Sequence, residues 1–292
     1  MAAKPFPILF IGPDRIGDAV LSSGLIKRLA DEMPSARFTI VAGPTAAPLF
    51  AEVPGLDALI VMQKRKRSAH WFGLWNKVRH KRWSLVVDMR RSVVARLLRS
   101  DRRSLNRKNT SEPTHKVIQA ASLLTLDNDP PSPFLFTSEE IEARAVELLD
   151  AEGPMAGGRL LVLGGPDDMR YVEPLVRTVS RDRVIDLTGQ VDLLTVYAVL
   201  RHARLFIGND SGLMHLAAAA GAPTIGLFGP SDDRLYAPWG PDTRTVRGPR
   251  EFAQFQAIDP ALNQAIGHMM DLPVDTVVEA ARELLRVTAG VK

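Results

Sequence analysis

Cysteine is absent from the 292-residue chain. That removes disulfides, thiolate metal sites and cysteine nucleophiles together, and it fits a reducing compartment. Long apolar runs are missing as well. The opening Ile8-Leu9-Phe10-Ile11 is broken by Gly12-Pro13-Asp14 and is too short for a signal-peptide core or a membrane span. The weakly polar stretch from Leu213 to Gly229 carries His215, Gly221 and Pro223 and reads as helix, turn and strand. The G-x-G-x-x-G spacing of a dinucleotide-binding turn does not occur, so nicotinamide and flavin chemistry have no support. No internal repeat with shared residues is visible.

Acidic residues are scarce in one place. Between Lys64 and Lys108 stand sixteen lysines and arginines against Asp88 and Asp101, a local charge of +14 in a chain whose total is only +4. Such a concentrated positive field is suited to an anionic partner, and phosphorylated glycan, a membrane surface and nucleic acid all qualify. No recognised nucleic-acid motif accompanies it. Lys64-Arg65-Lys66-Arg67, followed by His70, Trp71, Trp75, Lys77, Arg79, Lys81, Arg82 and Trp83, mixes cations with interfacial aromatics, as a segment touching anionic headgroups or acceptor phosphates would.

Otherwise the composition is that of a globular protein, with 46% hydrophobic and 24% charged residues. Short apolar runs alternate with amphipathic stretches, the pattern of strand-helix units on parallel sheets. The first half predicts strands near Ile8–Ile11, Phe38–Val41, Ala58–Val61 and Leu85–Val87, with helices near Asp18–Asp31, Trp71–His80, Val93–Arg99 and His115–Leu124. The proline-rich DNDPPSPFLF from Asp127 to Phe136 is the expected linker. Beyond it, strands are expected near Leu160–Leu163, Val184–Leu187, Leu205–Ile207, Thr224–Leu227 and Thr243–Val246. A terminal helix from Pro273 should set Val277, Val278, Ala281, Leu284 and Leu285 on one face.

Two turns run from a strand directly into a helix, where unpaired amides and the positive dipole end await an anion. In the first, Gly12 and Gly17 would let the backbone approach a ligand, and Asp18 reads either as a capping carboxylate or as a general base held ionised by the dipole. In the second, the amides of Ser211, Gly212 and Leu213 suit a diphosphate, Asp210 suits sugar hydroxyls, and His215 is either structural or a phosphate contact.

Two segments carry a specific resemblance. R-I-G-D-A-V-L-S-S-G from Arg15 and G-N-D-S-G-L-M-H-L-A-A-A-A-G-A-P-T-I-G-L-F-G-P-S-D from Gly208 resemble glycosyltransferase family 9, the ADP-heptose:lipopolysaccharide heptosyltransferases. V-V-D-M-R-R-S, H-K-V-I-Q, V-L-G-G-P-D-D and D-L-P-V-D-T-V-V-E-A-A-R extend the likeness over nearly the whole chain. The resemblance implies an α/β fold of the GT-B type, with two facing Rossmann-like domains, parallel sheets and a C-terminal helix that often crosses back to the N-terminal domain. Residues 1–133 would form the acceptor side and 134–292 the nucleotide-sugar side.

Carried onto this chain, the resemblance makes Asp18 the base of an inverting transfer. It places Asp210, Ser211, Gly212, Leu213, His215 and Gly229 at the donor, and Gly12, Arg15, Gly17 and Arg90 at the acceptor or its loops. The donor would be an ADP-sugar, with no metal and no further cofactor; Asp127-Asn128-Asp129 and Asp232-Asp233 read as chance acidic runs. The partners would be a phosphorylated lipid-linked oligosaccharide and the anionic inner face of a bacterial membrane, with a cytoplasmic, peripheral location. A catalytically impaired member that binds nucleotide sugar or glycan without transfer is the alternative. One family feature is missing: no Pro-Gly loop with a Lys and a following Trp-Pro opens the C-terminal half. Either a strand-loop-helix unit is deleted, or Leu160–Arg177 stands in for it with Gly164-Gly165-Pro166 as a substitute loop.

Overall fold

The computed structural model describes residues 4–63, 69–106, 112–150, 158–261 and 267–289. The cluster Lys64 to Arg67, and Arg107 and Lys108, lie outside the described residues. The first half runs β1 (Phe6–Ile11), α1 (Ile16–Glu32), β2 (Ala36–Ala42), β3 (Leu56–Val61), α2 (Ala69–Val78), β4 (Trp83–Asp88), α3 (Val93–Leu97), β5 (Ser100–Leu105) and α4 (Lys116–Ala121). Its sheet is wholly parallel in the order β3-β2-β1-β4-β5. Ile8 to Ile11 of β1 are completely buried. Ile8 and Phe10 point to the face covered by α1, while Leu9 and Ile11 point to the face covered by α2 and α3. Each such side chain contributes about 1.5–3 kcal/mol by leaving water.

Strand β5 was not expected. Its sequence SDRRSL exposes Asp101, Arg102 and Arg103. An edge strand pairs on one side only, and here backbone pairing to β4 suffices without apolar side chains.

The second half runs α5 (Glu139–Asp150), β6 (Leu160–Val162), α6 (Met169–Val176), β7 (Val184–Asp186), α7 (Leu193–Leu200), β8 (Phe206–Asn209), α8 (Gly212–Ala219), β9 (Thr224–Phe228), α9 (Asp233–Tyr236), β10 (Thr243–Arg247), α10 (Phe252–Ile258) and α11 (Val274–Thr288). Its parallel strands form a three-stranded sheet β10-β9-β8 and a separate pair β6-β7. Among the described residues, β6 is the first strand after α5. The Gly164-Gly165-Pro166 turn follows it directly, with the Gly165 amide donating to Asp168 Oδ2 at 2.8 Å.

Helix α11 does not cross back to the first half. It sets Leu284, Val277, Ala280 and Ala281 against Ile225 and Val246 of the second sheet, leaving Val278 exposed. The prolines between Asp127 and Phe136 run across α1, where a side chain on Gly24 would strike the Pro131 carbonyl at 2.4 Å. Phe134 donates its amide to Ser23 Oγ at 2.9 Å. Beneath this crossing one hydrophobic cluster continues from Ile8, Phe10 and Leu25 to Leu194, Tyr197, Leu216 and Ala217, joining the two halves. This is the GT-B architecture.

Candidate active site

In the order β3-β2-β1-β4-β5, the chain leaves β1 toward one edge and returns at β4 toward the other. The crevice beyond the carboxyl ends of β1 and β4 is therefore the switch point at which such sheets bind ligands. A cavity of about 330 Å³ opens there, and Asp14, Arg15, Asp18, Arg90, Lys116 and Gln119 supply its polar wall.

Each wall has a local cause. Asp88 ends β4 fully buried. It accepts from the Arg90 amide at 2.8 Å, the Ser92 amide at 2.6 Å and Ser92 Oγ at 2.8 Å. Burial raises its pKa, and these hydrogen bonds together with the Arg90 charge oppose the rise. The turn so fixed puts Arg91 in the left-handed region at φ 56°. It also aims Arg90 at Asp14, 2.8 Å away. Arg90 is braced from behind by Trp71, whose ring lies 4.9 Å from the guanidinium.

Asp18 is in the first turn of α1, which begins at Ile16, two residues before the predicted start at Asp18. It is half-buried on the cavity wall and has no hydrogen-bond or ion-pair partner among the described residues. Ser92 and Asp192, by contrast, cap their own helices. A carboxylate at a helix N-terminus that caps nothing is available to a ligand.

Across from it begins α8. Ser211 Oγ accepts from the Met214 amide at 3.4 Å, leaving the amides of Ser211, Gly212 and Leu213 without intrahelical acceptors. The two helix starts touch. A side chain on Gly212 would meet Ile16 at 2.6 Å, and one on Gly17 would meet the His215 ring at 2.9 Å. Gly17 therefore serves helix contact rather than ligand approach, and Gly12 is likewise closed in by Phe10 and Val41 of its own sheet. His215 is 3% exposed, with Nε2 3.6 Å from Asp210 Oδ1, too far for a hydrogen bond. Buried behind the turn, it lies near both Asp210 and Gly17 of α1. Gly229 does not join this group; it lies against Met269. Arg15 is exposed at the cavity rim.

Several residues of the site were not anticipated. The Lys116 ammonium sits 5.5 Å from the centre of the Tyr236 ring, and the Tyr236 ring lies 6.5 Å from His215. Burial raises the Tyr236 hydroxyl's pKa, Asp18 and Asp210 add to the rise, and Arg15 opposes it. Tyr236 thus feels the charge of both carboxylates. His115 accepts from the Val117 amide at 3.2 Å and contacts the Ala237 carbonyl at 2.9 Å, which assigns it the neutral Nε2–H form. Burial lowers its pKa, the Ala237 bond opposes this, and His215 adds to the lowering. Only H-K-V-I-Q carried a signal for these contacts.

Neither acidic run gathers a metal set. Asp129 pairs with Arg28, Asp232 caps α9 and binds Arg234, and Asp233 pairs with Arg247. Among the described residues no group of three potential ligands clusters, and no helix is long and apolar enough to cross a membrane.

Residues 154–263, which include the Asp210 turn, match the profile of glycosyltransferase family 9 (heptosyltransferase). Over that segment, 110 of its 292 residues, the chain is similar to this family. It is a glycosyltransferase. Lipopolysaccharide heptosyltransferase 3 of Escherichia coli is 23% identical over 284 aligned residues, covering 76% of this chain and 83% of that protein. Among solved structures, the family 9 glycosyltransferase of Veillonella parvula DSM 2008 superposes with a TM-score of 0.77 at 19% identity, covering 98% of this chain and 99% of that one. E. coli heptosyltransferase WaaC with ADP gives 0.66 at 17% identity, covering 96% and 100%.

Proposed function

We propose that this family 9 enzyme transfers a heptose or related sugar, with inversion, from an ADP-sugar to a phosphorylated, lipid-linked lipopolysaccharide-core-type acceptor at the cytoplasmic face of the inner membrane. Asp18 takes the proton of the acceptor hydroxyl as its oxygen bonds to the anomeric carbon; the bond from that carbon to the diphosphate oxygen breaks on the opposite side. The departing charge meets the amides of Ser211, Gly212 and Leu213 at the start of α8. Asp210 holds sugar hydroxyls, and Arg15 and Arg90 belong to the acceptor wall. Residues 1–133 act as the acceptor half and 134–292 as the donor half.

The observation that carries this reading is the unpaired Asp18 carboxylate on the cavity wall, opposite a helix start with open amides. Between Lys116 and Lys292 the chain contains no lysine. The first half therefore lends the cation Lys116 to the leaving diphosphate, a task for which the second half, Lys292 apart, has only arginines. The names of the E. coli heptosyltransferases support the choice of sugar and nucleotide. A thermal-shift screen against ADP-, UDP- and GDP-sugars, followed by a transfer assay in EDTA, tests the proposal. Stabilisation by an ADP-sugar with transfer onto delipidated core oligosaccharide is expected; stabilisation without transfer would leave a binding protein in its place.

A further inference from the structure

The outer layer of the first half, on the face of its sheet away from the second half, is unlike the rest of the surface. Helices α2 and α3 cover that face by burying Leu74, Val78, Val94, Ala95 and Leu98. Their opposite sides leave Phe72 71%, Val93 68% and Leu97 65% exposed. From Ala69 to Arg99 the only acidic residue is Asp88, which is fully buried, while eight lysines and arginines occupy the same stretch. Lys77, Arg91, Arg96 and Arg99 have no acidic partner among the described residues. Large exposed apolar side chains beside unneutralised cations complement an anionic, partly apolar surface. Helix α6 makes the useful contrast. It exposes Met169, Tyr171 and Leu175, but Asp167, Asp168 and Glu173 stand among them.

This layer is continuous with the cavity. Phe72 packs against Trp75 at 5.9 Å; its neighbour Trp71 underlies Arg90, and Arg90 pairs with Asp14 on the cavity wall. The geometry points to the α2–α3 surface, through Phe72, Val93, Leu97, Arg96 and Arg99, as the face that docks on an anionic phospholipid bilayer and brings the cavity mouth to the headgroup layer. The inference rests on the proposed lipid-linked acceptor and names the surface that meets it.

The test is co-sedimentation of the full chain with vesicles of phosphatidylethanolamine and phosphatidylglycerol, compared with phosphatidylcholine alone, paired with transfer onto delipidated core oligosaccharide. Wild type binds the anionic vesicles and loses binding as salt is added. Phe72→Ser and Leu97→Ser each weaken binding about tenfold, and Arg96→Gln with Arg99→Gln weakens it about fivefold per cation. All four side chains are exposed, so these variants keep wild-type melting and wild-type transfer to the soluble acceptor. Wild type that ignores anionic vesicles at low salt, or variants that bind as wild type does, would overturn the inference. Vesicle binding that follows this pattern while soluble transfer is absent throughout would instead sink the transferase reading and leave the docking face standing.

Discussion

Helices α1 and α8 both begin at the carboxyl end of a parallel strand, and their first turns touch through Gly17, Gly212 and Ile16. They end up chemically opposite. The first turn of α1 carries the partnerless carboxylate of Asp18 into the cavity, and its N-cap, Arg15, makes no side-chain cap. The first turn of α8 carries no carboxylate; Ser211 takes the Met214 amide and the preceding amides stay open. In the proposed function, the same backbone device serves as a proton acceptor on one side and an anion cradle on the other, decided by one side chain in each turn.

The sharpest way to break this division is at its charged member. Asp18→Asn keeps the shape and removes the base, so transfer should fall by about 10²–10⁴-fold in kcat at saturating donor and acceptor; undiminished turnover would remove Asp18 from the chemistry. Widening the contact comes next. Gly212→Val forces Ile16 away and parts the two helix starts, with an expected loss of about a hundredfold in kcat/KM. Lys116→Ala tests whether the first half lends its cation to the donor: about a tenfold rise in donor KM is expected, with acceptor KM unchanged.

The smallest effect lies in stability. The pKa of His115 is depressed in the folded protein, so as pH falls through the ordinary histidine value the unfolded chain gains its proton first. Stability held above that value is then lost until the folded value is reached. His115→Gln should flatten the fall in Tm below about pH 6.5; an unchanged slope would show that His115 does not couple the halves.

Much of this was legible in the chain because strand and helix periodicity and strand-helix turns are local. Among the described residues ten strands are present where nine were expected, and the exception, β5, is held by backbone pairing at an edge where its side chains need not be apolar. The turns at Asp18 and Ser211 could be read for the same reason, since a helix start dictates its own open amides. What was not legible depends on contacts across the fold. Gly17 faces His215 almost two hundred positions away, and Tyr236 and Lys116 meet only because the start of α4 lies against the end of α9. The destination of α11 was likewise set by which apolar strand face remained uncovered, here Ile225 and Val246. Gly229 sits in the shared motif, yet its neighbour is Met269, so motif membership alone did not place it at the cavity.

The central claim, one helix start for the proton and the other for the nucleotide, is tested most directly by ADP dissociation constants measured side by side for Asp18→Asn and Gly212→Val. The account predicts that Asp18→Asn binds ADP within about twofold of wild type while Gly212→Val binds it at least about tenfold more weakly. Equal losses in both, or a loss confined to Asp18→Asn, would contradict it.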